Sequence, residues 1–408
     1  MTRASRRRFL THASLMCAGA AGLSAFGAGA PTSPGTGPRP GRAPIAPDAT
    51  TALKVLFLGG TGFIGPHIVN RFIERGHTVT LFNRGSRTDE LFPNLELIKG
   101  DRIPGEGAGL QPLLDAVGAG RTWDVVIDTA NVHTWTDHSA RVLRRAATHY
   151  VYTSSLSVYT DNSIIDQDED GPLDTMPDDV ADGIDRLPYD MRHFGAVKAR
   201  SEAAAAKHFP GRATIVRPGL IVGPRDFSNR FTYWPWRVRQ GGVVLAPSDP
   251  NDPVMVIDVR DLANFMVHLA ETRTMGVFNA NGPTTRDLTI GRLLDACAKT
   301  TRSDATFTWV DGDFLAARGV NAWSQMPVWI PPREGMEGFH RKSLARAIAA
   351  GLTTRPLAST ITDTLAWLDD EYVPTLAAGG RTFEPGVNAP GITRARESEL
   401  LAEWAARP

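Results

Sequence analysis

From about residue 53 onward, hydrophobic and polar positions fall into segments of distinct period. Residues 55–58, VLFL, form a short continuous apolar run, the pattern of a strand buried on both faces of a parallel sheet. Ile68, Val69, Phe72 and Ile73 then recur at helical spacing, Gly76-His77 ends that helix, and residues 78–82 predict a second strand. Apolar runs at 95–99 and at 123–128 (WDVVID) predict strands that end at Gly100-Asp101-Arg102 and Thr129-Ala130-Asn131. Strands alternating with helices predict an α/β fold: a Rossmann-like, doubly wound parallel sheet over residues 53–216, with a smaller C-terminal substrate lobe over 217–408. The stretches RPGLIVGP and GVFNANGP in that lobe predict strands that return to the sheet, so no clean cut separates the two parts.

Between the first strand and first helix lies Gly59-Gly60-Thr61-Gly62-Phe63-Ile64-Gly65. A glycine-rich turn in this context lets the backbone approach a pyrophosphate, whose charge faces the helix N-terminus. Gly59, Gly62 and Gly65 are assigned these roles, with Thr61, Phe63 and Ile64 in the same cofactor-binding segment. The second strand ends in Asn83-Arg84-Gly85, with Arg87 beyond it. An acid here would bind a ribose 2′-hydroxyl, whereas a basic residue accommodates a 2′-phosphate, so the reading favours NADP over NAD. Asp101 is expected near the adenine and Thr129-Ala130 near the nicotinamide ribose, the alternative being that they cap turns.

These motifs, with HYVYTSSLSVY, FGAVKARSE, RPGLIVGPRDF, VIDVRDLANF and GVFNANGP, resemble the extended short-chain dehydrogenase/reductase superfamily, and more narrowly bacterial NAD-dependent epimerase/dehydratase proteins. The resemblance runs from Leu53 to the C-terminus. It implies a serine after a strand, and a tyrosine four residues before a lysine on one helix face. The lysine would bind ribose and lower the tyrosine pKa, so that the phenol exchanges a proton with substrate. Ser155 takes the serine position and Lys198 the lysine position. Phe194 stands where the tyrosine belongs, and phenylalanine moves no proton. Tyr189 is the nearby substitute if the helix begins after it, and His193 neighbours Phe194.

Three readings follow: an oxidoreductase or epimerase with a relocated acid/base, a cofactor-binding protein with a degenerate site, or an atypical relative resembling chloroplast stem-loop RNA-binding proteins. Lyase or dehydratase chemistry is a further alternative. The aromatic stretch Tyr233-Trp234-Pro235-Trp236 and Trp309, Trp323 and Trp329, with Arg225, Arg230 and Arg237, suggest either a carbohydrate or acidic-group site or a filled core. No metal site is expected: His133 and His138 have no acidic or cysteine company at ligand spacing.

The first fifty residues change the picture of where the protein works. Ser5-Arg6-Arg7-Arg8-Phe9-Leu10, followed by an Ala/Gly-rich run, resembles the bacterial twin-arginine export motif. Residues 1–30 are therefore expected to be a signal read by the twin-arginine translocase, and the protein to be periplasmic or extracellular. Ala28-Gly29-Ala30 offers a cleavage site, although Pro31 after it is unfavourable. The apolar run is too short for a permanent membrane span, and the Pro/Gly-rich residues 31–52 read as a linker.

The 408 residues, 42% hydrophobic and 22% charged, are those of a globular protein. Lys+Arg and Asp+Glu balance at 44 each; residues 1–30 carry Arg3, Arg6, Arg7 and Arg8 and no acid, so the remainder is near −4. That balance argues against a nucleic-acid partner and leaves a small-molecule substrate, with a homodimer as the open oligomeric state. Cys17 lies in the signal, so Cys297 has no intrachain partner and is read as a small core residue.

Overall fold

The computed structural model describes residues 51–103 and 105–407. Residues 1–30, read above as an export signal, and all but the last two residues of the expected linker lie outside the described residues. In chain order the strands are β1 (Lys54–Leu58), β2 (Thr78–Asn83), β3 (Glu96–Lys99), β4 (Trp123–Asp128), β5 (Ala147–Thr153), β6 (Ala213–Pro218), β7 (Leu220–Val222), β8 (Val243–Pro247), β9 (Val256–Asp258), β10 (Gly276–Ala280) and β11 (Thr306–Val310).

Seven of them form a parallel sheet in the order β10-β6-β5-β4-β1-β2-β3. The chain builds outward from β1 to β3, then returns to the other side of β1 at β4. That reversal opens a crevice at the carboxyl ends of β1 and β4, where doubly wound sheets bind ligands. Helices α1 (Gly65–Glu74), α2 (His133–Leu143), α3 (Phe194–His208) and α4 (Val259–Glu271) cover the sheet, α1 packing on α4 and α2 on α3.

The apolar runs explain the strands: Val55, Leu56, Phe57 and Leu58 are fully buried, as are Val126 and Ile127. Ile68, Val69 and Phe72 face the sheet as their spacing predicts, whereas Ile73 lies 42% exposed. Ile73 follows Phe72 by one residue, and the 100° step carries it off the covered stripe.

GVFNA returns to the sheet as β10 beside β6. RPGLIVGP divides: Arg217-Pro218 end β6, while Leu220–Val222 pair with β9 in a separate two-stranded sheet. A second apolar core lies in the C-terminal part, with Trp234, Trp323, Trp329, Leu293 and Cys297 all buried. Arg237 is buried with them, its guanidinium paired to Glu397 at 2.8 Å. Glu397 also accepts from the Leu245 amide at 3.0 Å, which ties the helix Arg394–Ala405 to β8. Most of the aromatic stretch therefore fills volume.

Candidate functional site

The glycine turn is shaped by backbone geometry that side chains resist. Gly59 and Gly60 have φ of +105° and +92°, in the region that favours glycine. A Cβ on Gly65 would lie 2.5 Å from the backbone carbonyl of Gly60, so the turn closes onto α1 only because no side chain is there. At Gly62 a Cβ would meet nothing within 4 Å. No side chain caps α1, and no acid sits in its first turn. Its first N–H groups and dipole are thus left for an anion.

Asn83 at the end of β2 fixes this turn from behind. Its amide donates to the Gly59 carbonyl at 2.8 Å, while its oxygen accepts from the Gly85 amide and the Thr88 hydroxyl. Arg84 points outward, with its side chain 63% exposed and 4.0 Å from Asp101. Asp101 accepts from the Ile103 amide, so it does cap a turn. Arg87 reaches back to the Thr61 carbonyl at 3.5 Å.

A cavity of about 470 Å³ opens over the crevice. Its floor takes Gly60, Gly62, Phe63, Ile64 and Gly65 from the turn and Thr129 and Asn131 from the end of β4. Ser155, Phe194 and Lys198 continue the wall. Gly59, Thr61, Asn83, Arg84, Asp101 and Ala130 lie behind or beside that surface rather than on it.

Lys198 is buried, and its Nζ donates to the carbonyls of Ala130 at 2.7 Å and Thr153 at 2.8 Å. It therefore clamps the ends of β4 and β5 and keeps a third donor. Burial pushes its pKa down to about 7, against the pull of the Asp128 and Glu202 carboxylates. Ser155 caps a short 3₁₀ turn, accepting from the Ser157 amide at 3.1 Å. Behind it, Ser154 donates to Glu202, which also holds the Arg217 guanidinium at 2.6 Å. This buried network fixes the strand end that carries Ser155.

Phe194 opens α3 and stands one turn before Lys198, on the cavity wall. Tyr189 is not brought there. It precedes a 3₁₀ turn at Met191–His193, and its hydroxyl donates to the Asn131 carbonyl at 2.9 Å. His193 likewise is not on the cavity wall.

The C-terminal part supplies residues that sequence reasoning missed or left undecided. Asp226 is buried on the cavity wall; one carboxylate oxygen accepts from the Ser228 amide, and the other has no partner. Burial raises its pKa. Trp323 lines the same end with its indole N–H unpartnered and the Arg230 guanidinium 5.2 Å from its ring centroid. Lys342 donates to the Asp161 carbonyl and the Gln167 amide oxygen, and burial pushes it down to about 8. Asp226 follows the noted RPGLIVGP by two residues, a signal that was available; Lys342 sits in no motif.

Comparison with known proteins agrees with this geometry. Over 266 residues the chain is 25% identical to chloroplast stem-loop binding protein of 41 kDa b from Arabidopsis thaliana, covering 62% of this chain and 64% of that protein. Over 228 residues it is 28% identical to 2-alkyl-3-oxoalkanoate reductase from Stenotrophomonas maltophilia, covering 52% and 64%. The alignments thus span under two thirds of these curated relatives.

Among solved structures, UDP-N-acetylglucosamine 4-epimerase from Bacillus cereus matches with a TM-score of 0.54 at 14% identity, over 78% of this chain and 99% of that one. The Bordetella bronchiseptica enzyme WbmH, solved with NAD+, matches with a TM-score of 0.54 at 17% identity, over 78% and 99%. At such identities these likenesses show the fold alone. The profile of the NAD dependent epimerase/dehydratase family, however, matches residues 55–280, from β1 through the last strand of the main sheet. With its glycine turn, Ser155 and Lys198 all inside that span, the chain belongs to the NAD dependent epimerase/dehydratase family.

Proposed function

We propose that the protein is a nicotinamide-dinucleotide-dependent oxidoreductase or epimerase acting at a carbinol or carbonyl carbon of a sugar-like substrate, with the dinucleotide held tightly. One observation carries this reading: a single cavity joins the open side of Gly62, at the uncapped start of α1, to Ser155 and Lys198. The open space and free N–H groups fit a diphosphate, and the third Lys198 donor fits a ribose hydroxyl. When bound, the nicotinamide supplies hydride exchange. Ser155 polarises the substrate oxygen, and Asp226, with one carboxylate oxygen unpartnered, takes the proton-transfer role that Phe194 does not fill. The names of the reductase and epimerase relatives support this class of chemistry.

With no acid at the end of β2, and with Arg84 and Arg87 beyond it, NADP is favoured over NAD. Denaturing the purified protein and identifying released nucleotide tests the cofactor, with titration of the emptied protein by NADPH and NADH. A protein that neither releases nor binds a nicotinamide nucleotide would overturn the reading.

Phe194 on the cavity wall favours a second reading, in which cofactor and ligand bind without the usual proton transfer. The twin-arginine motif adds that the protein is exported by the twin-arginine translocase, folded around its cofactor. Fusing residues 1–50 to a reporter tests this, since Arg6→Lys/Arg7→Lys should abolish export; a reporter that stays in the cytosol unmutated would exclude it.

A further inference from the structure

Arg225 follows β7 in a left-handed conformation, with φ of +70°. Its loop is anchored to the first turn of α1, where His67 Nε2 lies 3.0 Å from the Pro224 carbonyl. The guanidinium stacks 5.8 Å from the Phe227 ring centroid. Its Nε and Nη2 are both buried without a hydrogen-bond partner. Arginine does not shed its proton, so a cation stands here with two of three nitrogens lacking acceptors, an arrangement that is unfavourable until an acceptor arrives.

The neighbourhood sharpens the point. Arg87, held over the glycine turn by its contact with the Thr61 carbonyl, is close enough to repel Arg225, and burial and that repulsion both lower the Arg225 pKa. Glu371 and Glu90 offset this only in part, and among the described residues no carboxylate lies within ion-pair distance of Arg225. Arg87, from beyond the end of β2, reaches Thr61 in the glycine turn, and Arg225, from the loop after β7, lies in the loop held against the first turn of α1 that follows this turn. A dianion between them would relieve the repulsion and supply the missing acceptors.

We propose that Arg225 joins Arg87 in holding the 2′-phosphate of NADPH beside the glycine turn, and so sets the preference for NADPH over NADH. The proposal rests on the reading that this turn binds a dinucleotide. It assigns cofactor choice to a residue from beyond the first six strands, where nothing in the β2 region would reveal it.

The full-length protein, freed of nucleotide, is titrated with NADPH and NADH by quenching of tryptophan fluorescence. The wild type is expected to bind NADPH about tenfold or more tighter than NADH. Arg225→Met, which keeps the apolar stem on Phe227, should weaken NADPH about tenfold and leave NADH within about threefold. Arg225→Lys, which keeps the charge but not the fork, should fall between. NADH binding by each variant certifies its fold. Equal loss for both nucleotides, or no loss of NADPH in either variant, overturns the assignment while leaving the dinucleotide reading intact. A wild type that binds neither nucleotide overturns that reading itself.

Discussion

The Lys198 ammonium lies 5.9 Å from the centre of the Phe194 ring, one helical turn away on the same wall of the cavity. The pair reproduces the i, i+4 geometry of an acid/base helix with the acid/base removed. Whatever proton the reaction moves must come from elsewhere on the wall.

Restoring the phenol tests that conclusion. If Asp226 carries the proton, Phe194→Tyr should leave turnover within about tenfold of wild type across a panel of sugars and sugar nucleotides. A gain of roughly 100-fold or more, the scale of a positioned acid/base, would instead establish a degenerate site. Tyr189→Phe should leave turnover unchanged, because its hydroxyl is engaged by the Asn131 carbonyl, and should cost about 1 kcal/mol of stability.

Lys198 predicts a pH signature. Unfolded, its ammonium keeps the proton up to the ordinary lysine value of 10.5; folded, burial lowers the value to about 7. Between these values the unfolded chain binds more protons than the folded one, so this group makes folding stability rise with pH across that window. In Lys198→Met the contribution vanishes. Thermal midpoints should therefore show the variant further behind the wild type at about pH 9 than at about pH 6.5. A gap independent of pH would mean that the ammonium is not depressed by burial.

Two glycines of the turn should differ in what they do to stability. Gly65→Ala places a methyl against the Gly60 carbonyl, and overpacking of this kind costs about 1–3 kcal/mol. Both thermal midpoint and dinucleotide affinity should fall. Gly62→Ala meets open space, so its midpoint should stay close to wild type while NADPH binding weakens. If Gly62→Ala leaves NADPH affinity untouched, the diphosphate does not lie against this turn.

What was legible in the sequence was what is local. The β1 run, the glycine turn and the buried face of α1 are set by neighbours within about two turns of chain, and periodicity reads them directly. Ser155 and Lys198 follow from short motifs and do reach one wall. Tyr189 depended on more than where α3 begins: the helix does start after it, at Phe194, but its hydroxyl is engaged by the Asn131 carbonyl and the side chain does not reach the cavity wall. Lys342 was invisible because its partners Asp161 and Gln167 lie 181 and 175 residues away in the chain. The tryptophans were ambiguous for the same reason: Trp234 and Trp329 give their indole N–H groups to Pro327 and Asp252, inside the C-terminal core, whereas Trp323 reaches the cavity. Periodicity does not say which of two facing surfaces a side chain meets.

Asp226 offers the sharpest separation of stability from function. Its carboxyl is buried with one oxygen unpartnered, and burial raises its pKa above the ordinary carboxylate range. Sign follows from proton counting: between the unfolded value and the raised folded value, the folded state binds more protons, so stability falls as pH rises through that window. Above it, the folded protein holds a buried charge only partly compensated by Arg230 and Ser228. Asp226→Asn removes the charge and keeps an oxygen able to accept from the Ser228 amide. The variant should therefore unfold at a higher temperature than wild type at neutral pH, with the advantage disappearing below about pH 4, where both carboxyl states are protonated. If Asp226 transfers the proton, the same substitution should lower turnover by roughly 100-fold or more and leave NADPH affinity unchanged. Thermal midpoints across pH, NADPH titration and turnover on one variant decide the matter: a stabilised protein that retains full turnover would strip Asp226 of its role and return the proton to a different group on the cavity wall.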